Sequence, residues 1–211
     1  MQVWFLAIKR SNFSIVLSSP SGAGKTSISK MLLRSDKSIS LSISCTTRPI
    51  RKGEINKKDY IFLSEKQFDA AKKNKKFLEH AKVFGYMYGT LKQTVNKFYK
   101  KNKDVLFDID WQGYQQLKQS KMEVVGIFIL PPSKKELIKR LKTRGRDTNY
   151  EMKKRMSMAQ NEISHFSEYD YVVVNENLNF CVNQIRNIIL SERLKRSRLI
   201  NLTSFVNKFR N

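Results

Sequence analysis

The sequence predicts an α/β fold: a parallel sheet covered by helices on both faces, with a small mixed α/β lobe inserted and a helical lid. Three observations carry this. Apolar strand-like runs alternate with amphipathic helical segments along most of the chain, the pattern of a parallel sheet buried on both sides. Residues 19–26, Ser-Pro-Ser-Gly-Ala-Gly-Lys-Thr, join such a run to a helical segment in the manner of a phosphate loop. From about residue 39 to residue 89 the pattern changes to short strands around one helix. The 211 residues suit a single domain, with a core of 13–38 and 103–194, a lobe near 39–90, a lid near 140–156 and a tail at 195–211.

Taken in order, residues 13–18 read as a buried strand and 27–34 as the helix that follows the loop. Residues 39–44 alternate isoleucine or leucine with serine, the period of a half-buried strand. A basic stretch, 45–59, is punctuated by Pro49 and Gly53. Residues 60–63 form the next strand. Ser64 with Gln67 has the capping-box spacing and starts a helix with Phe68 and Ala71 inward. Residues 77–84 and 86–88 read as short strands, with Gly85 and Gly89 as turn points and Thr90 capping a helix to about residue 101. Residues 104–110 form a core strand ending in acids, followed by a helix at 111–118. The most uniformly apolar strand, 124–130, stops at Pro131 and Pro132. Ser133 and Glu136 start a helix that reaches Arg144, and Gly145 breaks it before a second helix near 150–166. Residues 171–175 are the last strand and 178–194 the last long helix.

Composition narrows the function classes. No stretch is long enough to span a membrane, and the apolar run at 3–8 is too short for a signal peptide and is followed, not preceded, by Lys9 and Arg10. It reads as a leading segment that packs on the domain or frays. Cys45 and Cys181 have no metal-ligand spacing and imply no oxidising compartment, so a cytoplasmic location is expected. The net charge of +23 would attract nucleic acid or anionic membranes. The lysines are nevertheless spread over faces that read as exposed, and no nucleic-acid module is present. The expected partners are therefore polyanionic small molecules, with neither a specific nucleic acid nor a membrane, and the oligomeric state is open. The basic tail is expected to pack on its own domain or stay loosely ordered.

The chemistry begins at the loop. Small residues among Ser19, Pro20, Ser21, Gly22, Ala23 and Gly24 let backbone N–H groups converge on a phosphate at the positive end of the following helix. Lys25 adds a point charge for the outer phosphates, and the Thr26 hydroxyl suits Mg²⁺. The consensus loop opens with glycine where Ser19 stands, so its geometry is in question if that position needs a positive φ. Arg140 and Arg144 share a helix face, and Arg155 follows on the next helix, an arrangement suited to a closing cationic lid. Arg48 and Arg51, held in a loop by Pro49, offer planar forks for a second phosphate, with Tyr60 and Tyr88 adding hydroxyls. Glu79, an acid set among apolar residues, matches the paired N–H donors of guanine, which adenine lacks. His80 and His165 fall into no ligand or triad pattern and read as structural.

Several separated blocks then make a resemblance plain. Besides the loop at Ser19, they are Ser-Cys-Thr-Thr-Arg-Pro-Ile-Arg-Lys-Gly-Glu at Ser44, Lys-Asp-Tyr at Lys58 and Phe-Leu-Glu-His-Ala at Phe77. Tyr-Gly-Thr at Tyr88, Asp-Ile-Asp-Trp-Gln-Gly at Asp108, Pro-Pro-Ser at Pro131, Arg-Gly-Arg at Arg144 and Tyr-Val-Val-Val-Asn at Tyr171 complete them. In this order, over residues 13–194, the chain resembles the guanylate kinase family, most closely in its bacterial form. The resemblance implies a P-loop NTPase-like sheet and Mg²⁺-dependent phosphoryl transfer from ATP to GMP, and to dGMP, within purine metabolism. It implies that Arg48, Arg51, Tyr60 and Tyr88 bind the GMP phosphate, and that Ser44, Glu79, Thr90 and Asp108 read guanine. Lys25 and Thr26 handle the ATP phosphates and Mg²⁺, with Asp108 or Asp110 near the metal or the acceptor. Arg140, Arg144 and Arg155 are the implied lid and core arginines, and Asn175 lies at the implied ATP end. Three rivals remain: a kinase-like interaction module without catalysis, a kinase for another acceptor base, and a basic RNA-binding protein. The intact loop and arginines, Ser44 with Glu79, and the lack of an RNA module argue against them respectively.

Overall fold

A computed structural model describes residues 8–120, 122–143 and 149–210. Its strands are β1 Lys9–Arg10, β2 Ser14–Ser18, β3 Ile39–Leu41, β4 Cys45–Thr46, β5 Ile61–Phe62 and β6 Phe77–Val83. They continue with β7 Tyr86–Leu91, β8 Asp104–Asp108, β9 Val124–Leu130, β10 Tyr171–Val174 and β11 Leu199–Ile200. The helices are α1 Lys25–Ser35, α2 Glu65–Lys73, α3 Lys92–Tyr99, α4 Trp111–Gln119, α5 Lys134–Thr143, α6 Asn149–Ser164, α7 Leu178–Arg193 and α8 Leu202–Asn207.

The main sheet runs β10-β9-β2-β8-β3, with every neighbouring pair parallel. Parallel strands need crossover helices, and those helices cover both faces, so β2 is buried along its whole length. One face packs Ile15 and Leu17 against Ile28 and Leu32 of α1 and Ile185 and Ile189 of α7. The other packs Val16 and Phe107 against Val95 of α3 and Tyr114 and Leu117 of α4. Tyr114 needs unusual room: a Cβ on Gly126 of β9 would lie 2.3 Å from the phenol oxygen. The glycine loop leaves the carboxyl end of the central strand, where open α/β sheets place their ligands.

A second sheet, β5-β4-β7-β6, carries α2 on one side, with Cys45, Phe68 and Phe77 as its small core. The Ser64–Gln67 capping box forms as expected. Three expectations are corrected here. Residues 39–44 do not form one strand: Ile39–Leu41 pairs with β8 in the main sheet, and the chain enters the second sheet only at Cys45. The lobe therefore begins after residue 41, because period-two alternation marks a half-buried strand without saying which sheet receives it. Gly89 is not a turn point and Thr90 is not a helix cap. Both lie within β7, opposite His80 and Glu79 of β6, and α3 starts after Leu91 without a side-chain cap. The turn is made by Phe84 and Gly85 alone, at φ 51° and 85°, the two positive values a tight hairpin demands.

Among the described residues no helix is long and apolar enough to cross a membrane. The tail packs on the domain, as expected: β11 pairs antiparallel with β1. Arg198 is buried there, bonded to Glu192 and 4.3 Å from the ring centre of Phe13. The fully buried Asp104 draws both chain ends together, accepting hydrogen bonds from Arg10 at 2.7 and 2.8 Å and from Arg193 at 2.9 Å. Most of the apolar run at 3–8 lies outside the described residues.

Candidate active site

One cleft opens beneath the second sheet at the carboxyl end of β2, and the glycine loop forms one of its walls. Gly22 and Gly24 take φ values of 94° and 103°, which only glycine adopts without strain. Ser19 is not among the residues with positive φ, so serine replaces the consensus glycine there without backbone cost. Neighbours hold the loop from behind. Leu137 and Leu141 of α5 pack at Gly22, 3.3 and 3.4 Å from where a Cβ would stand. The Asn175 amide donates to Ala23 O at 2.7 Å, and a Cβ on Gly24 would sit 2.4 Å from that amide nitrogen.

Lys25 extends into the cleft and pairs with Asp108 at 2.6 Å, with a longer bond to Ile109 O at 3.3 Å. Burial alone would pull the ammonium pKa down, but Asp108 outweighs it and holds the value above the ordinary one. Thr26 is exposed in the first turn of α1 and lines the same cleft. Asp110 lines it too while capping α4 through Gly113 N at 3.1 Å.

At the other end stand Ser44, Tyr60, Glu79 and Tyr88, all lining the cleft. Glu79 is 3% exposed, and burial, with a smaller push from Asp110, raises its pKa to about 7. Its Oε1 and the Oγ1 of the fully buried Thr90 meet no partner at full hydrogen-bond geometry, although Thr90 lies near enough to offset part of the rise in the Glu79 pKa. Buried polar atoms are seldom left this way, and of the two only Glu79 lines the cleft, where a ligand could complete its carboxylate. Thr90 backs Glu79 without lining the cleft itself.

Arg48 and Arg51 also stand outside the cleft lining. Arg48 makes a bidentate pair with Glu54 at 2.8 and 3.0 Å, and its guanidinium lies 5.3 Å from the ring centre of Tyr60. The Glu54 pairing drives its pKa further up. Arg51 is exposed, and its backbone N–H donates to Glu54 at 2.8 Å. Tyr60 and Tyr88 meet edge to face at 6.1 Å.

Of the expected lid arginines, Arg140 on α5 bonds Glu136 at 2.9 Å and approaches Asn175 O at 3.5 Å. It lines a neighbouring groove with Gly22, Gly24, Ser27 and Asn175. Asn175, expected at the ATP end, does border that groove but spends its amide on the loop. Arg155 lies on α6, and Arg144 lies outside the described residues. His165 stacks on Trp111 at 3.7 Å and bonds Glu168 at 2.5 Å.

Sequence reasoning missed Glu162. From α6 its Oε2 accepts the backbone N–H of Ser21 at 3.1 Å, inside the same cleft as Lys25. No sequence signal distinguished it from a solvated helical glutamate. Among the described residues no group of three or more His, Cys, Asp or Glu is gathered for a metal. The cleft nevertheless offers hard oxygen donors at Thr26, Asp108 and Asp110, which suit Mg²⁺ shared with substrate phosphates.

Several known proteins are similar to this chain in sequence and fold. The guanylate kinase family model matches residues 11–192. The chain is 45% identical over 204 residues to the guanylate kinase of Paramagnetospirillum magneticum, covering 96% of this chain and 95% of that protein. It is 48% identical over 201 residues to that of Novosphingobium aromaticivorans, covering 95% and 91%. The crystal structure of guanylate kinase from Anaplasma phagocytophilum superposes with a TM-score of 0.79 at 35% identity, covering 95% of this chain and 96% of that one.

Proposed function

The chain belongs to the guanylate kinase family of ATP:GMP phosphotransferases, and we propose that it uses Mg·ATP to phosphorylate GMP, and dGMP, at the cleft just described. The observation that carries the acceptor assignment is Glu79. It is a buried carboxylate with an orphaned oxygen, placed in the same cleft as a phosphate loop. Guanine presents a ring N–H and an amino group side by side, and one carboxylate can accept both. Ser44, which lines the cleft, serves the remaining edge, and Thr90 supports Glu79 from behind. Tyr60 and Tyr88 take the GMP phosphate, and Arg48, oriented by Glu54 and stacked near Tyr60, and Arg51 supply its charge.

The ATP phosphates lie on the loop amides of residues 19–24, with Lys25 at the outer phosphates. Thr26 would hold Mg²⁺, with Asp108 or Asp110 reaching it through water. The ion supplies charge neutralisation of the polyphosphate. The GMP phosphate is already ionised near neutral pH, so its oxygen attacks the γ-phosphorus without a general base. The protein's part is positioning and cationic charge against the equatorial oxygens, from Lys25 and from Arg140, Arg144 and Arg155. Closure of the lid and lobe would exclude water and so suppress ATP hydrolysis.

The test is ADP release from Mg²⁺ and ATP with GMP, dGMP, AMP, CMP or UMP supplied separately. Turnover with the guanine nucleotides alone is expected. Equal turnover with AMP would overturn the Glu79 assignment, and no turnover in folded protein would favour a binding module.

A further inference from the structure

Helices α5 and α6 pack on one another through Leu137, Leu141 and Ala159. Both also touch the phosphate loop, at adjacent residues and by different means. The contact at Gly22 is apolar, from Leu137 and Leu141, while the contact at Ser21 is a hydrogen bond to Glu162. Glu162 and Arg155 are two turns apart on α6 and therefore share a face. A glutamate in this position is costly, since burial, reinforced by Asp110 and opposed by Lys25, pushes its pKa to about 7. An apolar side chain at this position could not accept the Ser21 N–H.

We propose that Glu162 is a positioning residue: by accepting the Ser21 N–H it locks the phosphate loop to the arginine-bearing helix α6, so that loop and arginine meet the transferred phosphoryl group in one register. This rests on the phosphotransfer reading above. Geometry and reach, not charge, do the work, which separates this role from that of a catalytic acid. The apolar dock at Gly22 fixes how close the helices come, and the hydrogen bond at Ser21 fixes their rotation and slide.

Three variants test the clamp by steady-state kinetics with thermal melting of each. Glu162→Gln keeps the reach and an acceptor oxygen while losing the charge. Glu162→Asp keeps the charge but is one methylene too short, and Glu162→Ala loses both. Glu162→Gln is expected to keep kcat within about threefold of wild type. Glu162→Asp and Glu162→Ala are expected to lose roughly tenfold or more in kcat while KM for GMP stays within about twofold. Full activity of Glu162→Asp with a defective Glu162→Gln would overturn the proposal, because charge would then be what matters. So would wild-type kinetics in all three, or losses that only track the folded fraction. A wild type that turned over no acceptor would sink the phosphotransfer reading instead. Hydrogen exchange at the Ser21 amide would still decide the clamp: protection in wild type and Glu162→Gln but not in Glu162→Asp supports it, and equal rates refute it.

Discussion

The carboxylate of Glu79 lies in the space a side chain at residue 113 would occupy: a Cβ on Gly113 would stand 2.8 Å from Oε2 and 3.2 Å from the carboxyl carbon. Helix α4 thus carries a glycine, a poor helix former, at the point where it passes the acid of β6. Gly113→Ala is expected to leave the fold intact and push Glu79 out of line. KM for GMP should rise about tenfold or more, the scale of one lost hydrogen bond to a charged group, with KM for ATP unchanged. An unchanged KM for GMP would show that Glu79 does not contact the base.

Burial also gives Glu79 a pH signature. Its pKa is about 7 in the folded protein against an ordinary 4.5, so the folded state binds the proton more tightly. Stability from this group is then intact below about 4.5 and is lost as pH rises towards 7 and above. Glu79→Gln removes the titration. Relative to wild type, the variant should gain up to ~3 kcal/mol on going from pH 5 to pH 8, read from urea midpoints, while its affinity for GMP falls. A pH-independent difference would contradict the buried ionisation.

Lys25 meets Asp108 at 2.6 Å in the cleft walled by the glycine loop, where we propose the phosphates bind. Lys25→Ala should lower GMP-dependent ADP release by about 10²–10³-fold, the usual loss when a charge aimed at a developing transition state is removed. Residual turnover near wild type would place the phosphates elsewhere.

Asn175 supports the loop from behind through Ala23 O. Asn175→Ala leaves that carbonyl without its partner at a cost of about 1–3 kcal/mol. KM for ATP should rise while KM for GMP holds, and a rise in both would mean that the loop and the acceptor end are one mechanical unit.

Much of the fold was legible because its signals are local. The capping box at Ser64 and Gln67, the glycine loop, and the apolar runs that became β2, β8, β9 and β10 are each specified by neighbours in sequence. Thr90 and Gly89 misled because a small polar residue after a glycine suits a helix start as well as a strand interior, and only pairing with Glu79 and His80 selects the strand. Arg48 was identified from the spacing of its loop, yet its bidentate hold by Glu54 depends on how that loop folds back on itself.

By itself the sequence determined the α/β class, the glycine-rich loop between the first core strand and its helix, and the family, since these depend on periodicity, residue type and spacing along the chain. Only the tertiary structure decided that Ile39–Leu41 joins the main sheet, that Asn175 turns its amide to the loop, and that Glu162 reaches Ser21 from 141 positions away. The reason is physical: backbone periodicity is a short-range property, whereas the partner of a buried polar atom is chosen by which distant elements the packing brings within hydrogen-bond reach.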